Sequence, residues 1–289
     1  MHKAGQKGPK RETQGASHKT KRPTFEIHFW LRALLLICIL GVLQGGIACS
    51  SDGIKIRSWE EAIDYAQSEL AAAGDLEGRL EDYDRKAAKL SQTIELIDRA
   101  GPALDLIETL REVQVPLVGN GWQILLSLLG MATADGAKVI DQLVGTVRSL
   151  ADLKYSLDHL NGLPAVSEEV SAFRSVPTRS TLSSLTSTSI SATPSLQRLR
   201  LELEKTLSPL GDATRNLGGL VRGLQNAAEA GIPVVSDAAQ FAAERIGPIE
   251  GPMLALYDGL AELERNIEAD IQVLENIQEA VRQARQHAE

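Results

Sequence analysis

The sequence predicts an all-α protein: long amphipathic helices forming antiparallel hairpins in a coiled-coil-like helical bundle, with an N-terminal export signal or anchor helix ahead of them. Three observations carry this. Apolar residues recur at alternating spacings of three and four over long stretches, as from Leu76 to Ile97. Aromatic residues are only 4% of the chain, and helix formers fill the space between the apolar positions. Glycine and proline cluster at a few places, which divide the chain into helix-length pieces. With 43% apolar residues the chain has enough for a core, which excludes wholesale disorder.

Charge divides the chain unevenly. Residues 1–32 hold eight Lys/Arg against Glu12 and Glu26. Of the 30 basic and 38 acidic residues in all, 22 and 36 lie beyond, a net of −14. From Ala33 to Ala48 no residue is charged, and Leu34 to Leu40 is continuously apolar. A basic flank ahead of such a stretch stays in the cytoplasm and directs the downstream chain across the membrane. Residues 33–48 are shorter than the roughly 20 needed for a comfortable span, and suit the apolar part of an export signal better.

That stretch ends in Gly45-Gly46-Ile47-Ala48-Cys49-Ser50. Small residues ahead of a cysteine resemble the lipobox of bacterial lipoproteins, although Gly46 stands where that family usually has Leu. The resemblance implies a lipid on the Cys49 thiol and signal cleavage between Ala48 and Cys49. With Ser50 following, it implies the periplasmic side of an outer membrane or the cell surface. An uncleaved signal anchor would put the same body on the same, extracytoplasmic side. Cys38 lies inside the apolar stretch and no cysteine follows Cys49, so the exported part has neither an intrachain disulfide nor a thiolate metal cluster.

The expected organisation is a basic n-region (1–32), the apolar signal or anchor segment (33–48), a tether (49–57), a first helical hairpin (58–164), a Ser/Thr-rich linker (165–193) and a second hairpin (194–289). Ser58-Trp59-Glu60-Glu61 has the form of a capping box and opens a helix to about Ala73, which Gly74-Asp75 restarts. Leu76, Leu80, Tyr83, Ala87, Leu90, Ile94 and Ile97 then form one seam. Gly101-Pro102 interrupts it before Leu104, Ile107 and Leu110 resume. Val113 to Ala134 carries no charge, but Pro116, Gly119 and Gly121 break it. It is read as a hairpin tip turning at 116–121, followed by a buried helix from near Trp122 that stops at Asn161-Gly162-Leu163-Pro164. Residues 175–195 contain thirteen Ser/Thr and predict a flexible linker, with Leu182, Leu185 and Ile190 leaving room for a weak docked helix.

Thr193-Pro194 has the form of a helix start. Its stripe runs from Leu196 through Leu199, Leu203, Leu207, Leu210, Leu217 and Leu224, and Gly219 and Gly223 would let a neighbour approach. A break at Gly231-Ile232-Pro233, a short helix to Ile246, glycine–proline pairs at 247–248 and 251–252, and a final helix complete the chain. A faint echo links the halves at an offset of 117. Val115-Pro116-Leu117-Val118 resembles Ile232-Pro233-Val234-Val235, and Leu129-Gly130 resembles Ile246-Gly247. Duplication of a hairpin and chance alignment of leucine-rich helices both account for it.

No sequence pattern marks catalysis. HExxH, a P-loop, a dinucleotide-binding glycine run, GxSxG and a zinc ribbon are all missing from the sequence. His159 and His287 stand apart, and Glu60-Glu61, Asp82/Asp84 and Glu262/Glu264 lie among Lys and Arg on solvated faces. No catalytic, cofactor-binding or metal residue, and no cofactor, is therefore assigned. The acidic balance disfavours nucleic acid and anionic lipid surfaces. The expected partners are the membrane, through the lipid or anchor, and a protein partner or a second copy through the helical seams. The expected function is a non-catalytic scaffold or protein-binding module of the cell envelope. One alternative is a membrane-active protein resembling helical pore-forming toxins, inserting residues 113–134; another is a small-ligand-binding helical sensor.

Overall fold

The computed structural model describes residues 55–130 and 133–288, and nearly all of them are helical. The basic n-region, the apolar segment 33–48, Ala48 and Cys49 lie outside the described residues. Helix α1 (Trp59–Ala73) starts where the Ser58 hydroxyl accepts the Glu61 N–H, while the Glu61 carboxylate accepts the N–H of Arg57 at 2.6 Å. Gly74, at a φ of 65°, turns the chain, and the Asp75 carboxylate caps α2 (Leu76–Asp98). Every member of the seam from Leu76 to Ile97 is buried. After a one-turn break come α3 (Gly101–Thr109) and a two-residue bridge between β1 (Gln114–Val115) and β2 (Gly119–Asn120). The Asn120 side chain caps α4 (Gly121–Leu128). Gly130, at a φ of 66°, separates it from α5 (Thr133–Asp158), so the single helix expected after Trp122 is two.

Helix α6 (Leu163–Ser175) follows at once. Asn161-Gly162-Leu163-Pro164 ends one helix as expected, with Gly162 at a φ of 82°, but Pro164 also sits in the first turn of the next. Helix α7 (Arg179–Glu229) is 51 residues long, α8 (Val235–Ile246) is short, and a 3₁₀ turn (Gly247–Ile249) leads into α9 (Glu250–Ala288).

The predicted linker over 165–193 is thus corrected to helix, and so is the start at Thr193-Pro194. The cap is Thr178, which exchanges hydrogen bonds with Thr181, and Pro194 lies inside α7. Two causes override the composition. Leu182, Leu185, Ser189, Ala192 and Leu196 share one face at helical spacing, and all are buried. The hydroxyls find acceptors on their own helix: Thr186 donates to the Leu182 carbonyl at 2.8 Å, Ser189 to that of Thr186 at 3.0 Å and Thr193 to that of Ser189 at 2.9 Å. A polar tract therefore docks without orphaned polar groups.

The four longest helices close a ring in which each runs antiparallel to its neighbours. Ser91 donates to Asp158 and Lys154 pairs with Glu95 between α2 and α5. The Arg198 guanidinium lies over the Tyr155 ring between α5 and α7. Gln197 donates to Glu275, and Arg200 to Glu268, between α7 and α9. Arg79 with Asp270, and Lys86 with Glu262, join α9 back to α2. Helix α1 lies along α9, α6 spans α2 and α7, and one continuous core runs through the whole from Ile56 to Ala284.

The offset of 117 extends to backbone conformation. Short helices α4 and α8 lead toward α5 and α9 through Gly130 and Gly247, although Gly130 has a φ of 66° and Gly247 is helical. Leu117 and Val234, each directly after a proline, are the non-glycine residues of positive φ among those described, both at 69°. The turns of the two hairpins stand at equivalent places, as duplication requires.

Leu182→Ala and Leu185→Ala should each lower unfolding free energy by about 2–5 kcal/mol, because both are fully buried. Chemical denaturation measures this. Proteinase K should also spare 175–195 in the unaltered chain, whereas early cleavage there would mean the tract is not docked.

Candidate functional site

The residues considered for chemistry in the sequence do not converge. His159 ends α5 with its ring stacked on Tyr155, centroids 3.9 Å apart, and its Nδ1 2.8 Å from the Tyr155 carbonyl. His287 lies in the last turn of α9. Asp82 and Glu262 share Lys86, leaving them as parts of a surface ion-pair set. Among the described residues no group of three or more His, Cys, Asp or Glu is placed to hold a metal ion, and no helix is long and apolar enough to cross a membrane. Trp59 is buried beneath the Arg179 guanidinium, 4.3 Å from the ring centroid, and Trp122 is half-buried beneath Arg111 at 4.5 Å.

One buried charged group escaped the sequence reading. Asp270, 1% exposed, sits on the apolar face of α9 between Ile267 and Leu274. Arg79 reaches it through Nε at 3.0 and 3.1 Å and through Nη2 at 2.6 Å, and the Tyr83 hydroxyl donates to it at 2.5 Å. Arg79 also donates to the Ala73 carbonyl, tying the α1–α2 turn to α9. Its pKa is raised further by the bond to Asp270. Burial first, and then the bond to Asp270, push the Tyr83 phenol well above its ordinary range. Both carboxylate oxygens are occupied by these donors, so the group pins register and offers no acid or base to a substrate. The one legible signal was Tyr83, whose hydroxyl on an otherwise apolar seam requires a partner.

The body does expose one unusual feature, at the end formed by the two hairpin turns. Helix α3 packs on α8 and α4 on both α7 and α8, which brings the turns to the same end. Gly223 takes the close contact there, since a Cβ would lie 2.7 Å from Leu129 Cδ2 and 3.3 Å from its Cα. The expected close approach therefore occurs at Gly223, while Gly219 faces open space. In the first turn the Val118 N–H donates to the Val115 carbonyl at 3.2 Å, with Pro116 and Leu117 between them. Leu117 occupies the position where a type II turn normally takes glycine. In the second the Val235 N–H donates to the Pro233 carbonyl at 2.8 Å across Val234, which has φ 69° and ψ −46°. That is a γ-turn of the rarer, strained hand, around a β-branched residue. Leu117 is 108% exposed, Val118 54% and Val234 49%.

The rest of the uncharged segment is not presented. Leu125, Leu126 and Leu129 are buried in the core. The heptad seams are likewise taken up within the chain, from Leu76 to Ile97 and from Leu196 to Leu224. An open groove of about 600 Å³ lies between α7 and α9, where Gly211 lets the Tyr257 ring rest on the α7 backbone beside Leu207, Leu254 and Ala261. No protein family, no curated protein and no solved structure matches this chain.

A raised Tyr83 pKa stabilises the fold below the unfolded value of about 10 and loses that contribution progressively above it. The unaltered chain should lose up to about 1.4 kcal/mol more per pH unit than Tyr83→Phe above pH about 10, measured by denaturant titration at several pH values. Val234→Gly should raise stability by up to about 1 kcal/mol, because glycine adopts this φ freely. A fall in Tm would show that the turn is unstrained.

Proposed function

We propose that this chain is a membrane-tethered, extracytoplasmic helical scaffold of the cell envelope, carrying a lipid on Cys49 and doing no chemistry of its own. The supporting observation is the polarity of the body. The described chain enters where the Ile56 N–H meets the Gln283 side chain at 2.9 Å, near the C-terminal end of α9. The two apolar turns lie at the opposite end, where α9 begins. A helix of 39 residues places these ends about 58 Å apart. A tether joined to the first end thus leaves the other free to meet a partner at a distance from the anchoring membrane. Long antiparallel helices with their stripes buried against one another make a spacer of that length, which supports a scaffold.

Metabolic labelling with a fatty acid tests this reading. The unaltered chain should take up label and stay with membranes, and Cys49→Ser should take up none. An unaltered chain held in membranes at full size and without label would mark an uncleaved anchor instead. An unlabelled body recovered free in the cytosol would overturn the proposal.

A further inference from the structure

We infer that the far end of the body is a lipid-contacting wedge, in which Leu117, Val118 and Val234 enter the outer layer of a neutral bilayer facing the one that holds the tether. The membrane opposite rests on the tethered reading; the wedge itself rests on the two turns. In each, the backbone takes a left-handed conformation that disfavours side chains, yet the residue there is a leucine or a valine, turned to solvent. Backbone strain of this kind persists only where the surroundings fix it, and it clusters at functional positions. The first turn is fixed: the Asn120 side chain donates to the Arg111 carbonyl and accepts the N–H groups of Trp122 and Gln123, and the Gly121 N–H donates to the Val113 carbonyl at 2.8 Å.

Size and charge choose the occupant. Three partly or wholly exposed aliphatic side chains offer at most a few hundred Å², short of the ~1,000 Å² that a specific interface with a second copy or a globular partner needs. A bilayer needs no matching shape. Its weak affinity for a few side chains suffices when a tether holds many copies near it. No charged residue lies between Glu112 and Asp135, and the polar neighbours Gln114, Asn120 and Gln123 are neutral. Trp122 beneath Arg111 supplies the apolar-and-wet pair suited to the rim of a headgroup layer. The acidic body selects neutral over anionic headgroups. Because Leu125, Leu126 and Leu129 remain in the core, contact involves no insertion of the whole segment and no pore.

The full chain, reconstituted in dye-loaded phosphatidylcholine vesicles and mixed with protein-free phosphatidylcholine vesicles, provides the test. The two populations should cluster without dye leakage, and less so when the acceptors are rich in phosphatidylserine. Leu117→Asp with Val118→Asp should reduce clustering about tenfold or more, with the helical circular dichroism unchanged. Ile190→Asp, which alters a similarly exposed apolar residue at the other end of α7, should leave clustering intact. The N-terminus is identical in all these chains, so their difference reads the wedge. A high-salt wash of the donor vesicles separately reads the tether. Equal clustering by the double variant, or an equal loss with Ile190→Asp, would overturn the wedge. If the chain washes off the donors, the tethered reading fails, and direct flotation of the unaltered and double-variant chains with vesicles decides the wedge in the same sense.

Discussion

Each of the four long helices carries a stripe of leucine, isoleucine and alanine too wide to leave in water, and the need to close all four stripes at once organises the body. There is no cysteine after Cys49, and the whole chain holds only four Phe and four Tyr. Cohesion therefore comes from many modest aliphatic contacts. Such contacts have little directional preference, so register needs other fixings. It comes from polar pins inside the seams, Asp270 with Arg79 and Tyr83 at one level and Gln278 with Ser189 and Thr193 at another. Small residues do the same by shape. A Cβ on Gly259 would meet Leu90 Cδ2 at 2.7 Å, so the glycine leaves room for the leucine tip where α2 passes α9.

Much of this was legible in the sequence, for a simple reason. A seam read from spacing alone is correct wherever every apolar position faces the core, as with Leu76 through Ile97. The reading failed where composition hid spacing. Between 175 and 195 the hydroxyls outnumber the apolar residues, and the outward-facing Ile190 confuses the stripe that Leu182, Leu185, Ala192 and Leu196 continue. Pro194 suggested a beginning because proline suits first turns, whereas here its neighbours are held helical by packing. Helix α6 was missed because Pro164 serves as both a stop and a start. At the site the limits were different. The bend at 116–121 was visible, but a left-handed leucine or valine has no sequence signal, since glycine is what the rule looks for. Asp270 was hidden because its partners lie 187 and 191 residues away.

The two hairpins share a plan yet use it differently. In the first, the long ascending helix is broken at Ala100 and the turn is braced by a two-residue bridge. In the second, α7 runs through the corresponding place unbroken, and a hydroxyl does the bracing: Ser236 accepts the Ile232 N–H and donates to the Ala227 carbonyl. A proline followed by a left-handed aliphatic residue survives in both despite these different supports. Packing requirements alone would have allowed glycine in either.

The docking of α1 on α9 joins the first described helix to the last, with the Ile56 and Gln283 contact spanning 227 residues of sequence. The pairing of α2 with α9 is nearly as distant, whereas α2 with α5 and α7 with α9 pair within their own hairpins and can form as soon as each is complete. A chain emerging N-terminus first will therefore hold Ala62, Ala66 and Leu70 without their main cover until residues 250–288 arrive. Premature termination anywhere in that stretch leaves a greasy helix without its cover beside the emergence site, a ready signal for holdases and quality-control proteases to act on the incomplete product.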